Sequence, residues 1–276
     1  MLRSLGFVGW AWRGALSMMT RMSVWFPFLT VALVQLLALG LLVEFHRPWA
    51  MPLAWPIVHR AAGDAAAHYP VFYYYLPLIY SRVMIVVYVL VASLAMGAAT
   101  VAFARGFGAD VREGAWRRAV RHAPQLMAIA AFSALLLYGA SALLGRVPND
   151  LILKNQLVRW STRGAMLLAQ LLIESFLAYS TAWIVLERAR LWPAVRDSIR
   201  VTAGTLLPTL ILVGVPMVLL YPFGYVSQRV DLFINTVAPE TMVGLLVTRI
   251  GFEFLLGFLL VGAITRVFVL RLEAAR

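Results

Sequence analysis

The stretch Arg163–Arg188, RGAMLLAQLLIESFLAYSTAWIVLER, decides the fold class. Between Arg163 and Glu187 its only charged residue is Glu174. Such a run exceeds the roughly 20 apolar residues that a helix needs to cross a bilayer. Five further runs have the same character. The six are placed at Trp25–Phe45, Leu78–Ala104, Pro124–Leu144, Gly164–Leu186, Thr205–Tyr225 and Met242–Leu270. Composition agrees: 62% of the 276 residues are hydrophobic and 13% are charged. A soluble domain carries about twice that charged fraction. Mean hydropathy is +0.84. An ordinary globular enzyme, a disordered chain and a secreted mini-protein are excluded. The expectation is an all-α, polytopic integral membrane protein: one transmembrane domain over 1–276, with six transmembrane helices and basic amphipathic interfacial helices between them.

The first 20 residues do not read as a cleavable signal peptide. Arg3 and Arg13 interrupt the apolar stretch and no small-residue cleavage site follows. They read as an amphipathic helix on the membrane, with Trp10 and Trp12 at the interface. The chain holds 24 bases against 12 acids, and only Lys154 is a lysine. The bases sit singly at the ends of apolar segments, which argues against nucleic acid and for a bilayer with anionic lipids as partner. The side holding Arg3, Arg105, Arg188 and Arg271 carries 15 bases, and the side holding Arg47, Arg146, Lys154 and Arg229 carries 9. The excess marks the cytoplasmic side, so both termini are expected there, in a cell inner membrane. Cysteine is absent, which removes disulfides, thiolate metal sites and a cysteine nucleophile.

An internal repeat is suggested by Ser81-Arg82, Thr162-Arg163 and Thr248-Arg249, each read as opening an even-numbered helix at its outer end. Trp12, Trp116 and Trp192 each start a basic stretch ahead of an odd-numbered helix. The repeat units would be 1–105, 106–188 and 189–276. The alternative is that unrelated segments met the same interface constraints. In the first outer loop, His46–Tyr75, a short helix is expected over Ile57–His68. Tyr69 and Phe72–Tyr75 read as an aromatic anchor at the interface, with a ligand platform as the alternative.

The residues that could carry chemistry start with Glu174. It lies 11 residues after Arg163, about 16 Å along a helix. An ionisable group at that depth is costly, and usually lies inside protein or on a wet cavity. Arg163, Gln170, Glu174 and Thr181 share one helix face, and Arg82 heads a weaker polar stripe in the second helix. Arg249 and Glu253 stand four apart, as an ion pair would. These seven residues form the candidate substrate path, or a buried polar cluster that only fixes packing. Pro216, close to Gly214, should kink the fifth helix. Ser93 and Gly97 should allow close packing of the second. His59, Asp64 and His68 are zinc-ligand types without a zinc signature and read as solvated loop residues, so no metal and no cofactor is expected.

No nucleotide-binding, zinc-protease or serine-hydrolase motif is present, and an enzyme is disfavoured. The leading functional expectation is a membrane subunit of a transport or export system handling a lipid or other amphiphile. Another subunit, such as an ATPase, or an ion gradient would supply its energy. The alternative is a non-catalytic structural or assembly subunit of an inner-membrane complex. Size and six-span layout are similar to the permease subunits of ATP-binding-cassette transporters, a similarity of layout that no motif carries.

Overall fold

The computed structural model describes residues 2–64, 68–69, 71–148, 155–227 and 238–275. Pro70, Lys154, Arg229, Arg276 and most of the connection between the fifth and sixth spans lie outside the described residues. Among the described residues the regular elements are helices, with no strand. In chain order they are α1 (Leu2–Ser17), α2 (Met22–Val43), α3 (Met51–Ala62), α4 (Val71–Val87), α5 (Ser93–Gly106), α6 (Ala115–Arg121), α7 (Ala123–Leu144), α8 (Gln156–Leu177), α9 (Ser180–Glu187), α10 (Leu191–Gly204), α11 (Leu206–Ser227) and α12 (Thr241–Ala275).

Six helical stretches are long and apolar enough to cross a membrane: Met22–Val43, Val71–Gly106, Ala123–Leu144, Gln156–Glu187, Leu206–Ser227 and Thr241–Ala274. Their lengths alternate, at 22, 36, 22, 32, 22 and 34 residues. Each overlaps an expected span. The even-numbered ones begin earlier than expected, at Val71, Gln156 and Thr241. Arg82, Arg163 and Arg249 therefore do not open their helices; they lie two to three turns inside them at 3.6 residues per turn. The tyrosines Tyr73–Tyr75 belong to α4 and not to a loop.

The helix between the first two spans also differs from expectation. It spans Met51–Ala62 and not Ile57–His68. Pro52 in its first turn favours an early start, and Gly63 at φ 69° ends it. Ala54 and Val58 are completely buried against Leu42, Phe72 and Leu76, which ties α3 to the first two spans.

The spans are apolar on both faces, but the faces differ in burial. On α2, Phe26, Leu33 and Leu37 are exposed, whereas Val24, Phe28, Leu39 and Leu42 are buried. Exposed apolar faces of this kind suit a lipid surround. Small residues let helices meet closely. A Cβ on Gly97 would lie 2.7 Å from Leu126, and one on Gly262 would lie 2.7 Å from both Ala15 and Phe103. The approach of Gly262 to Ala15 seats α1 on α12. Arg266 reinforces it, since its guanidinium stacks 3.8 Å over the Trp10 ring and donates to the Trp10 carbonyl.

Candidate functional site

The fourth span is broken shortly after Glu174. Helix α8 ends at Leu177 and α9 restarts at Ser180. A break exposes backbone groups that cannot be left unpaired in a low-dielectric interior. Helix α10 satisfies them. Ser198 Oγ donates to the Phe176 carbonyl at 2.7 Å and accepts the Tyr179 amide at 3.1 Å, and Thr202 donates to the Ser175 carbonyl at 2.8 Å. The Tyr179 hydroxyl, fully buried, meets Thr209 at 3.0 Å. The buried face of α10 is thus made of Ala194, Val195, Ser198, Val201 and Thr202, while Arg196 and Arg200 stay outside.

The second span is irregular at a matching place. Tyr88–Ala92 forms a π-helical turn between α4 and α5, and Ser93 Oγ donates back to the Val89 carbonyl at 2.5 Å. Such turns widen a helix locally and recur at functional sites. Pro216 lies inside α11, which continues through it as a helix; it is buried and faces the same space.

That space is an open-sided cavity of about 670 Å³ lined by the first, second, fourth, fifth and sixth spans. It is within the size range of small-molecule sites, about 300–1,000 Å³. Its wall is mainly apolar and aromatic, including Phe28, Met96, Met217, Leu220, Tyr221 and Phe254. The polar residues on it are Gln35, Arg163, Gln170, Glu174, Arg249 and Glu253, with Tyr88 and Tyr225. A second cavity of about 230 Å³ abuts the first, and Tyr88, Met96, Glu174, Val213 and Leu260 line both. The second is rich in hydroxyls: Ser93, Thr100, Ser133 and Thr181.

Together the cavities extend along the bundle. The larger reaches Arg163 and Arg249, near the starts of the even-numbered spans; the smaller reaches Thr100 and Thr181, near the ends of two of them. Glu174 stands between. It is about 27 Å from the start of its span and about 20 Å from the end, at 1.5 Å per residue.

The charges on the wall are in different states. Glu253 is neutralised: Arg249 donates to it at 2.7 Å and Gln35 at 3.1 Å. Arg163 stacks on Trp160 and Tyr225, at 5.7 and 5.6 Å from the ring centres. Among the described residues Arg163 forms no ion pair, and no residue donates a hydrogen bond to the Glu174 carboxylate or lies within 4.0 Å as a salt-bridge partner. Gln170, one turn before Glu174 on the same wall, makes no side-chain hydrogen bond among the described residues either.

Of the seven residues singled out from sequence, five line the larger cavity: Arg163, Gln170, Glu174, Arg249 and Glu253. Thr181 lines the smaller one. Arg82 is exposed on α4 and lines neither. Gln35 and Tyr88 were not singled out. Gln35 had a signal, as a lone amide in an apolar run; Tyr88 had none, because tyrosine is common near membrane interfaces. Near the opposite end from Arg163, the imidazole of His122 lies between α6 and α7. Burial, with Arg118, Arg121 and Arg188 close by, holds it below its ordinary value against a smaller opposing effect of Glu113. Between the first two spans His59 and Asp64 are 3.1 Å apart and exposed. Among the described residues no group of three His, Cys, Asp or Glu gathers where a metal ion could be held.

The chain matches no protein-family model, no curated protein and no solved structure.

Proposed function

We propose that this chain is the membrane-embedded subunit of a transport or export system that handles a lipid or other amphiphile, energised by a partner such as an ATPase. The observation that carries the reading is the pair of abutting cavities meeting at Glu174. A mostly apolar wall with a few convergent polar groups suits a molecule that is part apolar and part polar. Helices interrupted at mid-depth on two sides of the cavity add to it, since irregular backbone at that depth belongs where a cavity needs lining. In the same reading the protein lies in a cell inner membrane with both termini cytoplasmic, and the faces of α6 and α10 that carry arginine contact anionic lipid or the energising partner. The alternation of 22-residue spans with spans of 32 to 36 residues supports three short–long hairpins, each preceded by α1, α6 or α10.

The test is translocation. The full chain, purified with whatever proteins accompany it, is reconstituted into liposomes with a fluorescent phospholipid analogue, and exposure of the label on the other leaflet is followed by chemical quenching. Gly224→Trp should slow transfer without unfolding the protein. Gly224 lines the larger cavity, and a Cβ there has no heavy atom within 4 Å, so the new side chain has room to fill the path. Transfer no faster than in protein-free liposomes, together with a stable assembly lacking an ATPase, favours a structural subunit instead.

A further inference from the structure

We infer that the larger cavity selects amphiphiles bearing a primary amine, whose ammonium group docks between Gln170 and Glu174. The inference rests on reading the cavity as the substrate path. Four charged side chains line that cavity. Arg249 and Glu253 close on one another with Gln35, and so offer no net charge to a ligand. Arg163 is covered by two aromatic faces and lies 11 residues from Glu174 on the same span, about 16 Å away along the axis. That leaves Glu174 as an acid with no partner among the described residues, opening on both cavities.

A part-buried carboxylate on a mainly apolar wall without a partner is unfavourable, and a ligand cation supplies what the fold does not. Gln170 defines which cation. It stands one turn away on the same wall, and its side-chain carbonyl is unengaged. Two acceptors at i and i+4 can take two N–H donors from one ammonium group; a quaternary ammonium has none to give. Tyr88, shared by both cavities beside Glu174, adds an aromatic ring of the kind that attracts cations. The apolar body of the ligand has Met96, Val213, Met217, Leu220, Phe254 and Leu260 to lie against. An anionic amphiphile would instead meet Arg163, and Glu174 would repel it.

The experiment uses the full chain in nanodiscs of neutral lipid and two readouts. The first is modification of Glu174 by dicyclohexylcarbodiimide, which reaches carboxyl groups from the apolar phase, quantified by peptide mass spectrometry. Dodecylammonium should protect Glu174, while dodecanol, dodecanoate and dodecyltrimethylammonium should protect about tenfold less well, the scale expected for a charge-assisted hydrogen bond. This readout needs no variant and so does not depend on one folding. The second is binding of dodecylammonium to Glu174→Gln and Glu174→Asp, each first shown to melt like the parent. Affinity should fall about tenfold or more in the glutamine variant and be retained within a few-fold in the aspartate variant. Equal protection by dodecanol, or unchanged affinity in Glu174→Gln, overturns the inference. Protection by the amine without any translocation in liposomes upholds the site and rejects the transport reading. Translocation with no preference for the amine does the reverse.

Discussion

Ser198 Oγ accepts the amide N–H of Tyr179 at 3.1 Å, and thereby binds helix α10 into the break of the fourth span. The same oxygen donates to the Phe176 carbonyl at 2.7 Å. One hydroxyl therefore satisfies both a donor and an acceptor that the break leaves over, just past Glu174. Ser198 is completely buried, so water does not replace it easily. Ser198→Ala should cost about 1–3 kcal/mol, the range for stranding buried polar groups. Thermal unfolding in detergent measures it, with Ser161→Ala, an exposed serine on α8, as the control. A loss no larger than that of the control would mean that the break holds itself without α10.

The Arg249–Glu253 pair should behave as a unit with Gln35. Either single truncation, Arg249→Met or Glu253→Leu, leaves one charge part-buried in the bundle without its partner. Each should destabilise by more than about 1 kcal/mol, and the double variant should lose less than the sum of the two. A double-mutant cycle on melting temperature and denaturant midpoint decides this. Additive losses would show that the two groups do not depend on each other.

All six spans could be read from length and hydropathy, because twenty apolar residues in a row have few other uses. The starts of the second and fourth could not. Tyr73–Tyr75 and Trp160 suit an interface and a helix equally, and the helices run on through them. Polarity made Arg163, Gln170, Glu174, Arg249 and Glu253 visible, since polar groups are rare in such a chain, and these five line one cavity. Arg82 carried the same signal and lies outside. The inward face of each span was hidden for a physical reason. Lipid and protein interior are both apolar, so Phe26 and Phe28 look alike in sequence although one is exposed and the other buried. The break at Ala178 and the π-helical turn at Tyr88 depend on Ser198, Thr202 and Ser93 finding backbone partners, and composition does not reveal that.

His122 gives stability a pH dependence. Its imidazole is held below the ordinary value of about 6.5 by burial and by neighbouring arginines. The unfolded chain therefore takes up this proton at a higher pH than the folded one. The contribution to stability is complete above the unfolded value and is lost as pH falls through the folded one. Melting temperature should drop as pH is lowered from 7 towards 5, and His122→Gln should flatten the drop. A steeper or unchanged slope in the variant would assign the effect to other groups.

Topology has a direct measurement, because the chain has no cysteine to give background. Single cysteines at Asp64 and Ala238, both exposed, should react with a membrane-impermeant thiol reagent added to intact cells. A cysteine at Arg112, exposed between the second and third spans, should react only after the membrane is broken. The motivation is the excess of bases on the side of Arg105 and Arg188, 15 against 9. The opposite labelling pattern would invert the orientation and place α6 and α10 outside.

Two glycines on the same helix test whether α1 is firmly seated. In a helix interior, glycine to alanine gains about 0.5–1 kcal/mol when nothing is in the way. At Gly257 the new Cβ would meet Phe28 and Met96 at 3.7 and 3.8 Å, which is ordinary contact. Gly257→Ala should therefore be neutral or slightly stabilising. Five residues on, a Cβ at Gly262 would lie 2.7 Å from the Cβ of Ala15 and 2.7 Å from the Phe103 ring. Neither neighbour can yield alone: Ala15 and Phe103 are completely buried, and Ala15 has no side-chain torsion to turn. Relief requires α1 to move off α12 as a body. Gly262→Ala should cost about 1–3 kcal/mol, the usual penalty of overpacking. The same variant should open α1 to added protease while the six spans stay protected, which separates a displaced helix from a general loss of fold. If both substitutions raise the melting temperature alike, α1 rests on α12 loosely enough to slide, and the close approach at Gly262 does not fix its position.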